Sequence, residues 1–192
     1  YDHDAEAGFV HWADRAIAPG KKQWTWGDGD IGRAWDRQLT DEDGPYIELM
    51  CGAYTDNQPD FSWLQPGEEK RFTQVFMPYK HIGAPKNVSK EALVNLEVDG
   101  STAKIGVYVS RPREVIVRLS ASGQSLYEQK LSLSPEKTLT ETILLPAGIK
   151  PTDLTLSVWS ENHCLIEFTP EAPGDQHIPA PATAARGAPC RR

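Results

Sequence analysis

Between residues 92 and 168, apolar side chains fall at every second position in one run after another. In ALVNLEV the phase is carried by Val94, Leu96 and Val98, in AKIGVYVS by Ile105, Val107 and Val109, and in REVIVRLS by Val115, Val117 and Leu119. SLYEQKLSLS and KTLTETILLP follow, the second with Leu139, Ile143 and Leu145 in phase, then DLTLSVWS with Leu154, Leu156 and Val158, and HCLIEFT ends the series. A period of two sends alternate side chains to a core and to water, so these runs predict half-buried strands. DGS, SRP, ASG, LSPEK, LPAGIKP and SENH separate them and supply turn residues. About seven short strands in roughly eighty residues predict an immunoglobulin-like or fibronectin-like sandwich.

The first half is less regular. PYIELMCGAY and KRFTQVFMPY read as strands, and in the second Phe72, Gln74 and Phe76 share one face while Arg71, Thr73, Val75 and Met77 share the other. APGKK, GDGDIG, DEDGP and QPGEE read as turns. No long helical period appears. DAEAGFVHWADRAI fits a short helix, which Gly8 weakens, or a strand followed by a turn. KHIGAPKNVS reads as a connector, and from Pro170 the chain becomes rich in Pro, Ala and Gly, as a linker or tail is. The expected fold is therefore all-β, with a first unit over 1–85, a sandwich over 86–170 and a tail over 171–192.

Composition narrows the function. A chain of 192 residues buries enough surface to need neither disulfides nor a structural metal. Its net charge of -7, with no basic patch, argues against nucleic acid as a partner. No apolar run reaches the length of a membrane span. Cys51, Cys164 and Cys190 are far apart and in no metal-ligand spacing, so they read as unpaired thiols, which favours a reducing, cytoplasmic setting.

Candidate chemistry gathers in the first unit. Five of the six tryptophans lie in the first 63 residues. In KKQWTWG, Trp24 and Trp26 share one face of an extended segment, and YTDNQPD supplies Asp56, Asn57, Gln58 and Asp60 nearby in sequence. Aromatic faces stack on the C–H faces of sugar rings while such polar groups bracket hydroxyls, so a carbohydrate surface is one reading; tryptophans filling a core is the other. His11, beside Trp12 and near Asp14, reads as a site edge. Glu48, between Ile47 and Leu49, is either a base or acceptor in a pocket or part of a polar strand face shared with Tyr46, and the alternation alone favours the polar face. DGDIG and DEDG resemble calcium loops, but Leu39 stands where the closing Glu of a frame begun at Asp28 belongs, so no metal is expected. No phosphate loop, dinucleotide fingerprint or Ser-His-Asp arrangement is present, and no cofactor is expected.

The run from GFVHWADRAIAPGKKQWTWGDGDIG to LQPGEEKRFTQVFMPY is similar to the C-terminal part of an uncharacterised bacterial domain family with a galactose-mutarotase-like fold, which commonly precedes tetratricopeptide repeats. The resemblance continues more loosely through NVSKEALVNLEVDGSTAKIGVYVSRP. YIELMCGAYTDNQPDF followed by LQPGEEKRF also looks like the late strand, polar turn, PGE turn and closing strand of aldose 1-epimerases. The resemblance implies that Glu48 is the catalytic base, facing the concave side of a sheet, with His11, Trp24, Trp26, Asp56, Asn57 and Asp60 around the sugar. The histidines that serve as acids in epimerases lie upstream of anything matched here. The first unit then corresponds to the C-terminal portion of a mutarotase-like supersandwich. The expectation is a portion of a longer protein that packs on its missing N-terminal part, as a second chain or by self-association. Carbohydrate binding, with sugar processing, leads; a scaffold module before helical repeats, or a relative of polysaccharide hydrolases or lyases, is the alternative.

Overall fold

The structure, a computed structural model, describes residues 1–56 and 61–172. Asn57, Asp60 and almost all of the expected tail, with Cys190, lie outside the described residues. In chain order the elements are β1 (Ala7–Ala13), β2 (Lys22–Trp24), α1 (Asp30–Leu39), β3 (Glu48–Met50), β4 (Gln74–Lys80), β5 (Asn87–Val88), β6 (Ala92–Asp99), β7 (Thr102–Val109), β8 (Arg113–Ala121), β9 (Gln124–Leu133), β10 (Leu139–Leu144), β11 (Leu154–Ser160) and β12 (His163–Phe168).

The period-two runs become a sandwich of two four-stranded sheets, ordered β10-β7-β6-β5 and β12-β11-β8-β9. Every neighbouring pair is antiparallel. The chain changes sheet between β7 and β8, between β9 and β10, and between β10 and β11, the interleaving of an immunoglobulin-type or fibronectin-type sandwich. The extra strand beyond those read from sequence is the two-residue edge β5. Val94, Ile105, Val107, Val117, Leu119, Leu156 and Val158 fill the space between the sheets and are almost wholly buried. Truncating Ile105, Leu119 or Leu156 to Ala costs about 2–5 kcal/mol, because the close-packed neighbours collapse only partly into the void. The SENH turn is tight: Glu161 and Asn162 have φ of 49° and 67°, the paired positive values that match a two-residue hairpin turn to strand twist.

Two neighbouring strands, β6 and β7, depart furthest from the alternation. In β6, Ala92, Leu93, Val94, Asn95 and Leu96 are all buried, because both faces of this sheet are covered. The second cover is an antiparallel ribbon of β1 and β4. Its inner residues Val10, Val75, Met77 and Tyr79 form a second core with Ile82, Leu93, Tyr108 and Val88. Two glycines permit the close approach. The Tyr79 ring occupies the place where a Cβ on Gly8 would stand, and Ile82 occupies the corresponding place at Gly106 on β7. The Lys90 ammonium lies 4.7 Å from the centre of the Trp12 ring, adding a contact between the ribbon and the segment before β6.

The helix corrects the sequence reading, which expects only turns around GDGDIG. Its inward face consists of Gly32 and Asp36, the two residues of α1 that are buried. Gly32 must lack a side chain, since a Cβ there would meet the carbonyl oxygens of Trp26 and Gly27. Ile31, Trp35 and Leu39 form an outward stripe, 87%, 51% and 42% exposed. Ile31, Trp35 and Leu39 have helical spacing, but in a ten-residue helix that opens on Gly29, Asp30 and Gly32 the turn residues mask it. DAEAGFVHWADRAI resolves into β1 and a turn, in which Asp14 accepts hydrogen bonds from the Ala16 and Ala18 amides. No described helix is long and apolar enough to cross a membrane.

Candidate functional site

The outer face of the β1–β4 ribbon carries aromatic rings. His11 and Phe76 are direct cross-strand partners, and Phe9 lies two residues from His11 on the same face. The His11 imidazole and the Phe76 ring are 4.5 Å apart between centres and inclined by only 8°. Phe9 continues the row at 5.8 Å from Phe76 and 25°. Phe9 and Phe76 are 53% and 50% exposed, which is unusual for residues that could have faced the core. The His11 Nε2 is fixed at 2.8 Å from Gln74 Oε1, and Lys21 donates through Nζ to the His11 carbonyl. Phe9, His11 and Lys21, together with Lys22, Gln23 and Leu49, border an open hollow of about 320 Å³.

The second part of the surface is the β2–β3 ribbon. Lys22 pairs with Met50, Gln23 with Leu49 and Trp24 with Glu48. Side chains alternate, so Lys22, Trp24, Glu48 and Met50 lie on one face, and Gln23 and Leu49 on the other. The Trp24 indole N–H points to Met50 Sδ at 3.5 Å. Trp26, just beyond β2, packs on Tyr46 at 5.6 Å. Helix α1 holds this end in place: buried Asp36 accepts the Tyr46 amide N–H through Oδ1 at 3.1 Å, and Gly32 admits the Trp26–Gly27 backbone. A buried carboxylate bonded to a main-chain N–H is a stable arrangement; without that donor it would be costly.

The residues singled out from sequence therefore divide. Trp24 and Glu48 are adjacent across the ribbon. Asp56 joins them indirectly: its carbonyl accepts Lys22 Nζ at 3.3 Å, while its carboxylate accepts the Ser62 hydroxyl. Trp26 extends the same face toward Tyr46. His11 borders the hollow on the side of Gln23 and Leu49, which Glu48 does not line. Glu48 is exposed, as are all residues of β3. Asn57 and Asp60 lie outside the described residues. Sequence reasoning did not single out Phe9, Gln74 and Phe76 as site residues. The signal was the shared parity of Gln74 and Phe76, which tells that they share a face but not that the face is open.

Among the described residues no three or more His, Cys, Asp and Glu side chains come together as a metal site. Cys51 and Cys164 are free. Burial raises the Cys164 thiol pKa, Glu167 adds to this, and a hydrogen bond with the Ile166 backbone opposes it, so this thiol is poorly suited to nucleophilic chemistry.

Comparison with known proteins divides the chain at the connector. No solved structure matches it. Residues 1–81, which carry both ribbons and the helix, match a domain of unknown function (DUF5107). Residues 87–168, the sandwich, match the second domain of YphG-like proteins.

Proposed function

We propose that this protein recognises carbohydrate through the open face of β1 and β4 and acts there as a binding surface. The observation that carries the reading is the exposed stack of aromatic rings, His11 on Phe76 and Phe76 on Phe9, on the outer face of the ribbon. Such a stack offers ring edges and the outer face of its end ring to the C–H groups of a pyranose, while Gln23 and Lys21 line the hollow where hydroxyls would extend. An open shelf encloses little of a ligand, so the expected dissociation constant is about 1 mM for a short glycan. Calorimetry with hexoses and short glucans tests this. Binding that is lost in Phe76→Ala, with the fold retained, supports the reading; absence of binding by the folded wild type overturns it.

The mutarotase-like reading is the finer version of the same proposal. In it, Glu48 takes the proton from the anomeric hydroxyl, and an acid from another part of the supersandwich protonates the ring oxygen. Glu48 is exposed beside Trp24, so this chemistry requires a further wall over the β2–β3 ribbon. Proton NMR of anomer exchange, wild type against Glu48→Gln, separates binding from catalysis.

A second reading has its own support. Of the 14 exposed large hydrophobic residues among those described, 13 lie between Tyr1 and Phe76. A surface this apolar suits further polypeptide, whether the N-terminal portion of the same supersandwich as a second chain or a second copy. In that reading the first unit is an interaction module.

A further inference from the structure

We propose a second carbohydrate site, on the outer face of the sandwich and built around Trp159. This is the one tryptophan outside the first 63 residues. It lies on β11, opposite Ile116 on β8, which in turn is opposite Lys130 on β9. Val158 and Val117 point into the core, so alternation sends Trp159, Ile116 and Lys130 outward. The indole is partly exposed, and its N–H donates to Ser157 Oγ at 3.0 Å. A ring fixed in this way loses little freedom when a ligand packs against it.

The surroundings select the ligand. Trp159 lines a hollow of about 480 Å³ that ends at the β11–β12 turn, where Asn162 presents its amide. The charged residues of its wall are Arg113 and Lys130 against Glu114 and Glu161, so they balance. Lys130 and Glu114 pair at 3.1 Å. An anion or a cation entering this hollow meets as much of its own sign as of the opposite one. A neutral polyhydroxylated ring finds donors and acceptors side by side, with an aromatic face for its C–H groups. Arg113 shares the inward parity of Val115 and Val117, and its guanidinium is held by Glu91 at 3.1 Å, so it is not free to receive an anion. The ligand class is a neutral pyranoside or the end of a neutral glycan.

The site is separate from the ring row on β1 and β4, and the test keeps them apart. The indole N–H resonance of Trp159 is assigned in the full chain by its loss in Trp159→Phe. Methyl glucoside, methyl galactoside and cellotetraose are titrated, with glucuronate as the charged control. The expected result is a saturable shift of the Trp159 resonance with a neutral probe, a response to glucuronate weaker by about tenfold or more, no change at this resonance in Phe76→Ala, and, by calorimetry in the Phe76→Ala background, binding weaker by about tenfold or more once Trp159→Ala is added. No shift with any neutral probe overturns the proposal, as does equal binding by glucuronate or a folded double variant that binds like Phe76→Ala alone. Should Trp159→Ala not fold, the wild-type titration and the glucuronate comparison decide alone.

Discussion

Tyr79 shows how much one residue settles in this molecule. Its ring fills the place of a Cβ over Gly8, stacks on Tyr1 at 5.9 Å and meets Tyr108 at 6.4 Å, with 5% of its surface exposed. Burial first, and the Tyr1 hydroxyl second, push its pKa from 10.0 up to about 12. The folded state therefore keeps a proton that the unfolded chain releases between those values. Stability from Tyr79 is complete below pH 10 and falls as the pH rises toward about 12. Denaturant melts across this window are expected to show the loss, and Tyr79→Phe is expected to flatten it. Residues of this kind were only partly legible. The parity of Val75 and Met77 places them on one face, and Tyr79 follows. That Phe76, of opposite parity, faces water instead of a core could not be read, because alternation assigns faces without saying which one is covered.

At the scale of elements, the strands were legible and the helix was not. The strands of the sandwich bury apolar residues at a period of two between turn residues, so their pattern and their burial agree. In α1, Ile31, Trp35 and Leu39 fall at i, i+4 and i+8, but Gly29, Asp30 and Gly32 read as turn residues and mask so short a helical stripe. The task of α1 is positional: it holds Trp26 and Tyr46 at the end of the β2–β3 ribbon. Gly32→Ala separates this task from helix propensity. Alanine favours the helix by about 1 kcal/mol over glycine in an open interior position. Here the added Cβ meets two carbonyl oxygens, and such overpacking costs about 1–3 kcal/mol. A net loss of stability is expected in urea melts, with a change in tryptophan fluorescence from Trp26; a gain in stability would show that the helix does not press on that turn.

The whole molecule is uneven. The sandwich has a complete apolar interior, and the first unit contributes its inner ribbon face to a second core while leaving its remaining apolar surface open. This difference was partly legible: five of the six tryptophans lie in the first 63 residues, and the clean period of two begins only at residue 92. If the open surface is an interaction surface, sedimentation velocity is expected to show association that grows with concentration. Replacing Ile31 and Trp35 together with Asp is expected to abolish it. A wild type that remains monomeric throughout would favour the ligand-binding reading of the same residues. That reading makes the ring row on β1 and β4 its central claim, and saturation-transfer NMR tests it most directly. With Trp159→Ala as the background, so that the sandwich is silent, irradiation of the aromatic protons is expected to pass magnetisation to the C–H protons of a bound glucan when Phe76 is present, and much less in Phe76→Ala. Equal transfer in both, or none in either, would contradict the account.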